Sequence, residues 1–115
     1  MPIRSKRIYE APSPEDGYRV LIDRLWPRGV SREAAGIDEW ARELAPSDEL
    51  RRWFGHDPAR FEEFRLRYVE ELLGAREKLV ELRRRADAGP VTVVFAARDV
   101  EHSNAAVLVE VLRGL

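Results

Sequence analysis

The stretch "VTVVFAARDVEHSNAAVLVEVL", residues 91–112, decides the fold. "VTVVF" is β-branched and apolar almost throughout, the composition of a strand covered on both faces and therefore central. Beyond it, Ala105, Leu108, Val109 and Leu112 recur at helical spacing and mark one buried stripe, with Asp99 as the expected N-cap. A buried strand that runs at once into an amphipathic helix is the repeating unit of an α/β layer with a parallel sheet.

Upstream, Phe61, Phe64, Tyr68, Leu72, Ala75, Leu79, Leu82 and Ala86 alternate in steps of three and four. Asp57-Pro58 supplies a capping carboxylate followed by proline at the first helical position. An unbroken helix over 58–87 would be about 45 Å long, against a radius of gyration near 13 Å for a chain of this size. Gly74 is therefore the expected break. "YRVLID" (18–23) reads as a second buried strand, and "IRSKRIY" (3–9), with only modest alternation, as a strand near an edge. The loop between them, with one helical turn expected after Ser13, is about as short as a parallel crossover allows, so an antiparallel first pair stays open. Ser31 predicts a helix running to about Leu44 with Ile37, Trp40 and Leu44 on one face. Ser47 predicts a short one, "DELRRWF", that stops at Gly55. The expected architecture is one α/β domain over 1–115: a mainly parallel sheet of about three strands flanked by helices, in a three-layer-like arrangement.

Composition narrows the function classes. The 115 residues carry 20 basic and 21 acidic side chains, a net charge of −1, so no global field draws the chain onto nucleic acid. There is no cysteine, which excludes disulfides, thiol nucleophiles and zinc–thiolate sites. No apolar run approaches the roughly 20 residues of a membrane helix, and the N-terminus has no signal core, so a cytoplasmic protein without membrane association is expected. With His56 and His102 the only histidines, a histidine-rich metal site is excluded; a site of the two histidines plus a carboxylate stays open, although nothing has metal-ligand spacing. No phosphate-binding glycine loop, nucleophile elbow or helix-turn-helix reader is seen, and no cofactor is implied.

Ligands of open parallel sheets bind outside the carboxyl ends of the strands. There the first strand delivers Tyr9, the second Asp23, Arg24, Trp26 and Arg28, and the third Arg98 and Asp99, followed by His102, Ser103 and Asn104. Arg24, Arg28 and Arg98 supply planar, permanently charged forks suited to phosphate or carboxylate. Asn104, Tyr9 and Trp26 complete the candidate ligand-binding set, and Asp99 and His102 are the candidates for moving a proton. Each has a plainer role available: Asp99 and His102 as helix-start groups, Arg24 as a tie to an acid, Trp26 as core. His56, at a helix junction, reads as structural.

"YRVLIDRLWPRG", "LAPS", "LRRWFGHDP", "FRLRYVEEL" and "AARDVEHSNAAVL" together resemble the YeaO-like branch of the family called domain of unknown function 488, over nearly the whole chain. The resemblance implies a compact α/β domain of bacterial or archaeal cytoplasm and supplies no agreed catalytic residues. A transcription-regulator label carried by some members finds no physical support in this sequence. Ser103 stands where many relatives have asparagine. The reading favoured by the residues is a binder of, or enzyme acting on, a small phosphorylated or carboxylated metabolite such as a nucleotide or sugar phosphate. The alternatives are a protein-interaction or regulatory module with a protein partner and, disfavoured by the balanced charge, a nucleic-acid binder. The residues leave open the oligomeric state and whether any reaction occurs.

Overall fold

Val91–Phe95 forms β4, buried at every residue, and it is paired on both sides, as its composition requires. The computed structural model describes residues 3–115. On one side of β4 runs β1 (Ile3–Arg7), in register from Ile3 opposite Val91 to Arg7 opposite Phe95. On the other runs β2 (Tyr18–Leu21), from Tyr18 opposite Val91 to Leu21 opposite Val94. A two-residue β3 (Glu39–Trp40) extends the sheet beyond β2. The order is β1-β4-β2-β3 and every pair is parallel, which settles the open orientation of the first strand. All strand carboxyl ends therefore lie along one edge.

The period-two alternation of strands divides the core. Val20, Ile22, Val91, Val93 and Phe95 join the apolar sides of α2 (Asp48–Phe54), α3 (Phe61–Leu73), α4 (Arg76–Ala88) and α5 (Asn104–Arg113). Leu21 and Val94 join a smaller cluster with Ile8, Ala35, Trp26, Ile37 and Trp40 on the opposite face. The expected stripe of α5 is buried in full, with Leu108 and Leu112 at 0% exposure; burial of such a side chain contributes roughly 1.5–3 kcal/mol. Gly74 divides the long amphipathic stretch into α3 and α4, as the length argument requires.

Two expectations are corrected. The helix from Ser31 is only four residues long, α1 (Arg32–Ala35), because Gly36 takes a left-handed conformation at φ 58° and ends it. The chain then turns extended: the Asp38 N–H donates to the Arg19 carbonyl at 2.9 Å and the Arg19 N–H to the Asp38 carboxylate at 2.8 Å, which lays β3 against β2. Ile37 and Trp40 belong to the smaller cluster and Leu44 to the larger, so their helical spacing does not reflect one shared face. The second correction concerns α5, whose N-cap is Ser103, accepting from the Ala106 N–H at 3.1 Å, rather than Asp99.

At the opposite edge of the sheet lies a buried ion cluster. Asp16, 1% exposed, accepts from Arg19 at 2.6 Å, Lys6 at 3.2 Å and Arg4 at 3.3 Å. Arg19 also donates to the carbonyls of Ala35 and Gly36, which pins α1 to the sheet. Burial works against ionisation of Asp16, but the Ser13 N–H and the Lys6 and Arg19 cations outweigh it and hold the carboxyl below its ordinary range.

Candidate functional site

The carboxyl edge of the sheet is organised by Asp23. β2 pairing with β4 ends as the Ile22 N–H donates to the Val94 carbonyl at 3.1 Å. The Asp23 carboxylate then accepts the Ala96 N–H and the Asn104 side-chain amide, each at 3.0 Å. The Asp23 carbonyl accepts the Trp40 indole N–H at 2.7 Å. One residue thus ties together β2, the end of β4, the first residue of α5 and β3. Burial pushes its carboxyl above the usual carboxylate range, against the opposing pull of Asn104, the Ala96 N–H and nearby His56.

Above Asp23 opens a cavity of about 600 Å³. Its walls include Arg24 from the end of β2, Arg98 and Asp99 from beyond β4, Asn104 from α5, and Arg51 and Phe54 from α2. Arg24 and Arg98, far apart in sequence, meet here because β2 and β4 are parallel neighbours. Arg24 approaches Asp48 at 3.5 Å through Nε, which is buried and has no hydrogen-bond partner among the described residues. Arg51 shares the same Asp48 oxygen at 3.5 Å. Among the described residues no acid lies within 4.0 Å of the guanidinium of Arg98, an exposed residue.

Asp99 lines the cavity, and its carboxylate receives the His102 N–H at 3.2 Å and pairs with His102 Nδ1 at 2.8 Å. That hydrogen bond from His102 is the main reason the Asp99 carboxyl lies below its ordinary range. The His102 ring stands edge-on to Phe61 at 5.1 Å rather than in the cavity wall. Three other candidates lie elsewhere. Trp26 donates to the Val30 carbonyl at 2.7 Å and packs edge-on against Trp40 in the smaller core cluster. The Tyr9 hydroxyl donates to the Arg28 carbonyl at 3.1 Å, so these two close the loop after β2 instead of facing the cavity.

The sequence reading did not assign Arg51, Pro46, Phe54, Phe64 or His56 to the site, yet all line it. His56 is the one non-glycine residue with positive φ (57°) among the described residues, directly after the left-handed Gly55 that ends α2. The signal in the sequence was "FGHDP", a helix stop followed by a new cap, which forces a tight reversal and brings the imidazole to the cavity wall.

A family described as "Inactive DUF488-N3 subclade" matches residues 2–114. The chain is 46% identical over 112 residues to the uncharacterised protein Rv3073c of Mycobacterium tuberculosis, covering 97% of this chain and 94% of that one. It is 37% identical to the uncharacterised protein YeaO of Escherichia coli, over the full length of both. No solved structure matches. Among the described residues no helix is long and apolar enough to cross a membrane.

Proposed function

We propose, from the premise that this chain belongs to the inactive DUF488-N3 subclade, that it binds a small anionic organic metabolite in the Asp23 cavity without transforming it. The observation that carries this reading is the convergence of Arg24 and Arg98 on one cavity at the carboxyl ends of β2 and β4. That edge is where open parallel sheets take their ligands. Arg98, without an acidic partner among the described residues, is the guanidinium available to a guest. The subclade's description supports binding over turnover. The Asp99–His102 pair supports a second reading, in which Asp99, held by His102, moves a proton at the cavity wall; product formation from a bound anion, lost in Asp99→Asn, would decide for it.

The binding reading is tested by thermal shift against a panel of phosphorylated and carboxylated metabolites. A ligand at about 100 times its Kd stabilises the fold by roughly 2.7 kcal/mol. Arg98→Ala removes an exposed side chain and is expected to leave the unliganded melting temperature unchanged while abolishing the shift; Arg24→Ala should reduce it. A wild-type protein that no anion stabilises, or a shift that survives both substitutions, would refute the reading.

A further inference from the structure

The wall of the cavity is mostly apolar, and that constrains the guest. Leu25, Pro46, Phe54, Phe64, Ala96 and Ala97 supply apolar wall. Phe54 and Phe64 are 5% and 1% exposed and stack on one another at 4.3 Å, a rigid backing within the core, so the apolar surface open to a guest is that of Leu25, Ala96 and Ala97. The cations stand toward solvent: the Arg24 and Arg51 side chains are 38% and 46% exposed, and Arg98 is exposed. A volume of about 600 Å³ falls within the roughly 300–1,000 Å³ of sites for organic ligands, far more than a five-atom oxyanion fills.

Of the polar groups in the wall other than the arginines, all but His56 are already engaged. Asp23 accepts from Ala96 and Asn104. Ser103 donates to the Val100 carbonyl at 2.8 Å and accepts from the Ala106 N–H. A sugar would bring hydroxyls into a wall with few free partners, and each one buried unpaired is costly. Taking the binding reading above as given, we infer that the ligand is an anion with a flat, apolar body, an aromatic carboxylate or aryl phosphate. Its apolar body lies against Leu25 and Ala97 and its charge beside Arg98 and Arg24. This sets aside the sugar phosphates that the sequence alone allowed.

Calorimetric titration with phenyl phosphate, inorganic phosphate and ribose 5-phosphate separates the possibilities. About 60 Å² of ring surface removed from water gives a tenfold preference, so phenyl phosphate should bind at least tenfold more tightly than either other probe. Ala97→Leu fills the space against the apolar wall and should bring phenyl phosphate down to the level of inorganic phosphate, leaving the latter's affinity intact. Leu25→Asn, at a side chain 66% exposed, spares the core and should lower the same preference. Equal affinity for phenyl and inorganic phosphate, tighter binding of ribose 5-phosphate, or a preference untouched by both substitutions would overturn the inference while leaving an anion site standing. Failure of all three probes to bind wild type would overturn the site reading itself, and this inference with it.

Discussion

Replacing Asp23 by alanine tests whether one carboxylate holds the sheet edge and the cavity together. The substitution orphans two donors, the Ala96 N–H and the Asn104 amide, each now bonded at 3.0 Å. An orphaned buried donor costs about 1–3 kcal/mol. Both groups are only partly buried and line an open cavity, so water recovers part of that and the low end applies, about 2 kcal/mol for the pair. Removing a carboxylate whose ionisation burial disfavours returns some stability at neutral pH, which leaves an expected net loss of about 1–2 kcal/mol. For a domain of this size that is a fall in Tm of roughly 5–10 °C. The pH dependence has a fixed sign. The folded Asp23 carboxyl lies above its ordinary value, so its contribution is fully present below the unfolded carboxylate range near pH 4 and declines as pH rises through the folded value. Urea unfolding at intervals between pH 4 and 7.5 should therefore show the gap between wild type and Asp23→Ala narrowing with pH. Asp23→Asn, which keeps one acceptor, should lose about half as much. A variant within 0.5 kcal/mol of wild type at every pH, or a gap that widens with pH, would refute the role given to Asp23.

Two further outcomes test the frame beneath the site. Asp16 has the opposite pH signature: its folded carboxyl lies below the ordinary value, so its contribution holds above about pH 4 and disappears as pH falls through the folded value. Asp16→Asn should cost about 3 kcal/mol at pH 7, because Arg19 is left buried without its acid, and acid titration of the urea midpoint should show this gap closing below pH 4. Gly17→Ala should cost more than about 3 kcal/mol by the same assay, since φ is +63° and a Cβ would lie 2.2 Å from the Pro90 carbonyl oxygen. Gly89→Ala, where a Cβ meets nothing within 4 Å, is the matched control and should be neutral.

What the sequence revealed and what it hid follow from the range of the forces involved. β4, the stripe of α5, the break at Gly74 and the stop of α2 at Gly55 depend on local periodicity and local backbone chemistry, and all were legible. β3 was not, because its hydrogen bonds come from β2, and the apolar residues in and around it, Ile37 and Trp40 in one cluster and Leu44 in the other, fall at a spacing that imitates a helix. Ser103 and Asp99 both have capping chemistry, and only the three-dimensional turn shows that Asp99 serves the turn before the helix. Of the cavity wall, Arg24, Arg98, Asp99 and Asn104 were legible because the carboxyl ends of parallel strands must converge. Arg51, Phe54 and Phe64 come from helices laid over one face of the sheet, where packing angle decides which residues reach its edge. Trp26 lies outside the cavity wall for the converse reason: an indole beside arginines is equally suited to a ligand and to a second hydrophobic face, and Trp40 supplied the latter.

Charge around the cavity bears on what kind of binding it can perform. Arg24, Arg51 and Arg98 face Asp23 and Asp99 across the walls, and Asp48 stands behind two of the cations. Counted together these groups are close to neutral, matching the net −1 of the chain. A site built to capture bare phosphate, or the backbone of a nucleic acid, gains affinity from uncompensated positive charge, and its affinity falls steeply with salt. In the proposed site the Coulombic attraction would be local, through Arg98, while most of the lining surface is apolar. The site proposed here would discriminate by the body of its ligand and use the anion for orientation, so its affinity should change little with ionic strength, by well under tenfold between about 50 and 200 mM salt, against the thousandfold or more of a protein with many phosphate contacts.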